Sequence, residues 1–120
     1  MLRGEVWIAN LNPGRGREIG KIRPVLIWQA DELIAIGTPM VIILPMTTQV
    51  YPAYRHWRVS VKARDRLLKD CQVVVDQPRT LDRERFGDGP LTALTDEELN
   101  RVERAFLGVC GLAHFAIPPS

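Results

Sequence analysis

Hydrophobic and polar positions along the chain predict a run of short strands followed by one helix. Glu5-Val6-Trp7-Ile8-Ala9-Asn10-Leu11 alternates well enough for a strand, and Pro24 to Trp28 gives a second. Asp31 to Ile36 reads as a short helical turn ending near Gly37. Met40-Val41-Ile42-Ile43-Leu44 is a continuous apolar run suited to a buried strand, and Pro45 is expected to terminate it. Trp57-Arg58-Val59-Ser60-Val61 alternates cleanly, and Cys71-Gln72-Val73-Val74-Val75 is another buried-strand candidate before Asp76-Gln77-Pro78. Thr95 opens the one convincing helix, since Thr95 and Glu98 form a capping box and Leu99, Val102, Phe106, Val109 and Cys110 keep helical spacing. The chain has no repeat, low-complexity tract or linker, so these elements share one core. Five or more short strands and one late helix predict a mainly β fold with some α: a small, curved sheet or open barrel with a helix packed on it.

Composition narrows the setting. At 120 residues the chain is a single domain, 1–120, large enough for a real core. Hydrophobic residues make up 46% and charged residues 25%, an ordinary balance for a soluble globular protein. No apolar run is long enough to span a bilayer, and Met1-Leu2-Arg3-Gly4 shows no signal-peptide pattern, so a cytoplasmic location with no membrane partner is expected. The two cysteines, Cys71 and Cys110, lack metal-type spacing and read as buried reduced thiols; no metal and no cofactor are expected. A net charge of +2 permits an anionic partner without requiring one. Its distribution says more, because Arg15, Arg17, Lys21 and Arg23 fall within one loop while Asp96, Glu97 and Glu98 open the helix.

That loop, within Asn10 to Ile27, carries three glycines between two apolar runs. It is not a Walker loop, which needs two glycines five apart followed by Lys-Ser/Thr and a helix. Here Gly20-Lys21 precedes Ile22, and the position five before Gly20 is Arg15. The dinucleotide fingerprint fails as well, because its third glycine position holds Ile19. The stretch reads as a long, basic, flexible connection between two strands.

Three segments, RGEVWIANLNPGRGREIGKIRPVLI, LPMTTQ and VVVDQPRTLD, in that order and at these spacings, resemble the MazF/PemK family of toxin endoribonucleases. The likeness runs from Arg3 to about Leu112. It implies an SH3-like barrel of short antiparallel strands with a C-terminal helix, acting as a homodimer. It further implies metal-independent, sequence-selective cleavage of single-stranded RNA, including mRNA, to 2′,3′-cyclic phosphate and 5′-hydroxyl ends. A cognate antitoxin protein would hold the activity in check, and the basic glycine loop would be a mobile flap that closes over RNA.

Cleavage by the substrate's own 2′-OH needs a base, an acid for the departing 5′-oxygen, and stabilisation of a crowded anionic phosphorus. Arg23 supplies a planar donor fork suited to phosphate and, by resemblance, is the central catalytic residue; read alone, it is a surface ion-pair residue at a strand start. Thr47 matches the family's hydrogen-bonding hydroxyl, although Thr47-Thr48-Gln49 is also ordinary turn chemistry. Glu18 is the carboxylate candidate for the base, or else a loop charge pairing Lys21 or Arg17. Arg15, Arg17 and Lys21 are expected to contact RNA phosphate, with Thr48 and Gln49 beside them. Asp76, Gln77 and Arg79 match a segment lining the family's RNA groove. Some PemK-type members carry a catalytic arginine two residues before that aspartate, where this chain has Val74, so the general acid stays unassigned. Tyr54 and His56 lie in a basic-aromatic stretch suited to stacking on exposed bases, whereas Trp57 is expected to pack on the barrel and His114 to be uninvolved. Two other readings stay open. One is a non-catalytic SH3-like module that binds nucleic acid or peptide; the other is a histidine-based RNase using His56, with an activity change at roughly pH 6.5.

Overall fold

The computed structural model describes residues 1–116. Seven strands form one curled antiparallel sheet: β1 (Glu5–Asn10), β2 (Ile22–Ile27), β3 (Met40–Thr47), β4 (Arg58–Val61), β5 (Cys71–Val74), β6 (Arg79–Asp82) and β7 (Thr92–Ala93). Two helices complete it, the short α1 (Asp31–Ala35) after β2 and the long α2 (Asp96–Val109) after β7. Along the sheet the order is β4-β5-β3-β2-β1-β7, with β6 also paired to β3. β3 changes partner partway along: Met40 to Ile43 pair with Asp82 to Arg79 of β6, whereas Met46 and Thr47 pair with Val73 and Gln72 of β5. A strand that passes from one neighbour to another turns the corner of the sheet, and here it curls the sheet into a half-barrel. Among the described residues no helix is long and apolar enough to cross a membrane.

The strand containing Pro45 does not end there, contrary to the expectation from sequence; β3 continues to Thr47. The reason lies in which way the missing amide would point. Ile42 accepts from Trp28 and Gln29 and so faces the β2 side; by strand alternation Pro45 faces the other side. On that side β6 has stopped at Ile43 and β5 begins at Met46, so no partner asks Pro45 for a hydrogen. β6 and β7 carry no sequence signal strong enough to predict them. β6 has one buried apolar residue, Leu81, and β7 is two residues long.

The central strands are buried on both faces. Val6, Leu26, Leu44, Met46, Val59, Val61 and Val73 form one cluster with Val102 of α2, while Val25, Ile27, Val41, Ile43 and Leu81 form the other with Ile34 of α1. From Val25 to Ile27 and from Ile43 to Met46, alternate residues feed opposite cores, which is why those stretches read as apolar runs, whereas Met40 and Ile42 at the start of the predicted buried strand are exposed. Each fully buried Leu or Ile contributes roughly 1.5–3 kcal/mol relative to exposure. α2 is fastened to the sheet by Phe106, whose ring lies 5.4 Å from that of Trp28, and Arg3 covers the same indole at 4.4 Å while pairing with Glu103 at 3.0 Å. Packing on this core stops at Phe106. Val109 and Cys110 follow the helical spacing but are exposed, so of the two thiols expected to be buried only Cys71 is. Burial pushes the Cys71 thiol above its ordinary pKa.

The capping box is present as predicted. Thr95 Oγ1 accepts the Glu98 amide at 3.2 Å, and Glu98 Oε1 accepts the Thr95 amide at 2.9 Å. Glu98 also receives both Nη groups of Arg64, at 2.9 and 2.6 Å, so one carboxylate ties the helix start to the loop after β4. Burial opposes ionisation of Glu98, but the bonds from Arg64 and Thr95 outweigh it and hold the carboxyl below the ordinary glutamate range. A carboxyl with a depressed folded pKa adds stability above its unfolded pKa and loses it as pH falls through the folded one. Glu98→Gln should therefore cost about 1–3 kcal/mol at neutral pH. In urea melts that deficit should stay constant above about pH 5 and shrink toward zero as pH falls below the usual glutamate pKa. A deficit independent of pH would refute the ionic reading.

Candidate functional site

The site begins with a missing hydrogen. Ile27 accepts from Gly4, on the β1 side, so Pro24, three residues earlier, faces β3. Proline has no amide to give Met46 across the ladder, and the β2–β3 pairing stops at Val25 and Pro45. Beyond that pair the strands separate, leaving Arg23 on one lip and Thr47 on the other. A cleft of about 540 Å³ fills the opening, bordered by both residues. Thr47 is 7% exposed, and its hydroxyl accepts the Gln49 amide at 3.1 Å, which leaves its own proton to donate. Arg23 commits Nε to the Gly20 carbonyl at 2.7 Å. Its two Nη groups have no hydrogen-bond partner among the described residues.

One wall is aromatic. Pro52–Trp57 forms a tight 3-10 turn, in which residues three apart eclipse, so Tyr51, Tyr54 and Trp57 form a row with ring centroids 5.7 and 6.4 Å apart. Trp57 also packs against the core, as expected from sequence. The opposite wall is the basic loop between β1 and β2. Its neck is closed by two glycines: a Cβ on Gly14 would lie 2.9 Å from Glu18 O and Gly20 N, and one on Gly20 would lie 3.0 Å from Gly14 N. Lys21, at φ 71°, holds a left-handed backbone where the loop rejoins β2. The lobe is lashed down by the Ile19 amide to Gln77 Oε1 at 3.1 Å, by Arg79 to the Leu11 carbonyl at 3.2 Å, and by the Lys21 amide to Asn12 Oδ1 at 2.7 Å.

The cleft gathers Arg17, Arg23, Thr47, Gln49, Tyr54, Asp76 and Gln77 from the sequence-derived candidates. Three arginines (Arg17, Arg23 and Arg58) face one carboxylate, Asp76, so the cleft is cationic. Lys21 and Thr48 border an adjoining pocket of about 330 Å³ on the other side of Arg23. Glu18 lies elsewhere. With Arg79 it borders an adjoining depression of about 500 Å³, which shares Arg17, Ile19 and Gln77 with the cleft. Arg15 is exposed on the lobe. His56 lines another hollow, against Arg104 and Gly108 of α2, and is not brought to the cleft. His114 lies in the turn after α2. Arg58 and Tyr51 border the cleft although sequence reasoning did not select them. The aromatic spacing of three could have found Tyr51; Arg58 closes the basic-aromatic stretch Tyr54-Arg55-His56-Trp57-Arg58, but it sits in phase with exposed Ser60 on β4 and was not singled out.

A curled half-barrel whose central ladder opens into a cationic, aromatic-walled cleft defines a protein built to hold an anionic strand with unstacked bases. Comparison with known proteins gives the family. Residues 2–109 match the model described as PemK-like, MazF-like toxin of type II toxin-antitoxin system, and the chain belongs to that family. It is 37% identical over 106 residues to the Endoribonuclease MazF of Staphylococcus saprophyticus, covering 88% of this chain and 87% of that protein. The fold is similar to crystalline MazF from Deinococcus radiodurans, with a TM-score of 0.76 at 24% identity over 92% of this chain and 96% of that one. It is likewise similar to the Mycobacterium tuberculosis toxin MazF-mt6, with a TM-score of 0.73 at 24% identity over 90% and 97%.

The glycine neck can be tested without any substrate. Gly14→Ala puts a methyl group against backbone, so the lobe must open while the barrel, which does not depend on it, keeps its melting temperature. Amide exchange at Ile19 and Lys21 should then accelerate by about tenfold, the equivalent of roughly one hydrogen bond of local stability. Unchanged exchange at both amides would show that the neck does not hold the lobe.

Proposed function

We propose that this chain is a metal-independent endoribonuclease that cuts single-stranded RNA at short sequences, the toxin of a toxin-antitoxin pair. Family membership supports the class, and one observation carries the chemistry: Arg23 and Thr47 face each other across the break in the β2–β3 ladder, inside a cationic cleft. A phosphate lodged there meets the free Nη groups of Arg23 and the hydroxyl of Thr47. The ribose 2′-oxygen attacks phosphorus and gives up its proton. The bond to the 5′-oxygen then breaks, and that oxygen takes up a proton, leaving a 2′,3′-cyclic phosphate and a 5′-hydroxyl. Negative charge grows on the non-bridging oxygens as the attack proceeds, which is where a guanidinium fork stabilises most.

Two carboxylates compete for the 2′-OH proton. Glu18 is the candidate by resemblance, but in this structure it borders the adjoining depression and not the cleft itself. Asp76 already borders the cleft, and position favours it as the base. Arg15, Arg17, Lys21 and Arg79 serve the strand's phosphates, and Tyr54 serves its bases. His56, against α2, has no part in the chemistry. Action as a homodimer in the cytoplasm, under control of a cognate antitoxin, completes the reading. An acidic, partly apolar segment that folds on binding would compete with RNA for this cleft.

Purified protein should cut a mixed-sequence RNA in EDTA at a few short sequences, leaving the two ends named above. Absence of cleavage would instead favour a non-catalytic binding module. Arg23→Ala and Thr47→Ala should each lower the single-turnover rate about 10²–10³-fold with circular dichroism unchanged. A near-normal rate for Arg23→Ala would sink the assignment. For the base, Asp76→Asn is expected to slow the chemical step about 10²–10⁴-fold and Glu18→Gln to leave it nearly intact. The reverse ranking would return the role to the loop.

A further inference from the structure

Arg58 combines two properties that seldom meet. Its side chain is only 7% exposed, yet it borders the cleft that holds Arg23 and Thr47. Its Nη1 donates to Asp76 Oδ1 at 2.8 Å and, more weakly, to the Trp57 carbonyl at 3.4 Å. The guanidinium lies over Tyr54, 5.1 Å from the ring centroid. Nε, by contrast, is buried and has no hydrogen-bond partner among the described residues. A buried cationic donor without a partner is rare. Nη2 also has no partner among the described residues and is not closed off in the same way, so it is the nitrogen the cleft can reach.

The position is also rigid. Arg58 opens β4 and pairs in register with Val74 of β5, so the ladder fixes its Cα, Asp76 fixes one end of its fork and Tyr54 fixes its plane. Of the remaining edge, Nη2 is the donor open to the cleft, and a charged guanidinium N–H held in place is a strong donor to a phosphate oxygen. We propose that Arg58 is a further RNA-binding residue of this site, with its Nη2 donating to a backbone phosphate of the single strand. The inference rests on the single-stranded RNA reading above. It gives Asp76 a second duty, that of orienting Arg58, and it makes Tyr54 the joint between a base-stacking surface and a phosphate contact.

A mixed-sequence 2′-O-methyl RNA oligonucleotide, which lacks the attacking hydroxyl and stays intact, is the probe. Arg58→Met, with folding confirmed by its melting curve, should weaken binding about ten- to hundredfold. It should also flatten the log–log salt dependence by roughly 0.7, the share of one single-strand phosphate contact. Arg58→Lys should restore the salt slope but not the affinity, because an ammonium keeps the charge and loses the fork. A purely structural Arg58 would lower the melting temperature alone, and a folded Arg58→Met with wild-type affinity and slope overturns the proposal. Should that variant not fold, the Arg58 guanidinium N–H resonances of the wild-type protein decide. A shift on titration with the oligonucleotide supports the contact, and resonances unmoved at saturation refute it. Wild-type protein that neither binds the probe nor cuts RNA would remove this inference together with the function it rests on, whereas binding and cleavage with an indifferent Arg58 removes the inference only.

Discussion

Two prolines without amide hydrogens decide the form of this sheet. Pro45 falls where β3 has left β6 and has not yet met β5, so the strand can change partner and the sheet can curl at that point. Pro24 faces β3 where a donor would be needed to carry the ladder one pair further, and the pairing ends at Val25 and Pro45. In most sheets such residues are pushed to an edge. Here they occupy the two central strands, and the gap between those strands lies between the cleft bordered by Arg23 and Thr47 and the smaller pocket lined by Pro24 and Met46. The opening that Arg23 and Thr47 border is thus built into the backbone and does not depend on a displaced loop.

Around that gap the chain assembles groups that repel one another. Arg17, Arg23 and Arg58 border a single cleft with only Asp76 to balance them. Their mutual repulsion is tolerated because each is restrained by a different neighbour: Arg23 by the Gly20 carbonyl, Arg58 by Asp76 and Tyr54, and Arg17 by a lobe anchored through Ile19 and Gln77. Such an arrangement is uncomfortable when empty and relieved by an anion. The stable core lies elsewhere, in the two apolar clusters on either face of β2 and β3, which can carry a cationic site at one end of the same strands.

Much of the fold was legible in the sequence because periodicity is local. The apolar runs of β2 and β3, the alternation of β4 and the capping box at Thr95 each appear within a few residues. What a proline does to a strand is not local, since Pro45 is harmless only because of where β5 and β6 happen to end. β6 and β7 were hidden because a strand with one buried side chain, or of two residues, has no period to detect. Cys110 kept the spacing of a buried position, yet the surface that would bury it ends at Phe106. At the site, Arg23, Thr47 and Asp76 were selected by likeness to a family and then found together at one cleft. Arg58 escaped notice because strand alternation puts it in phase with exposed Ser60, and its burial comes from Tyr54 and Asp76, which only the folded chain brings near. Glu18 shows the converse: its position in the sequence is close to Arg23, but the folded loop sets it at the depression adjoining the cleft.

The crossing of Gly14 and Gly20 also separates two kinds of change that the molecule can undergo. Because the ends of the lobe already touch, the frame senses only the neck and the anchor at Ile19. The other residues between the two glycines can be exchanged, or their number altered, at little more than the slowly growing entropy of a longer closed loop. The barrel, its cores and the gap between β2 and β3 would be inherited unchanged while the surface presented to an incoming strand is rewritten. In evolutionary terms the lobe is an exchangeable cassette, through which one scaffold can acquire new preferences without refolding around them.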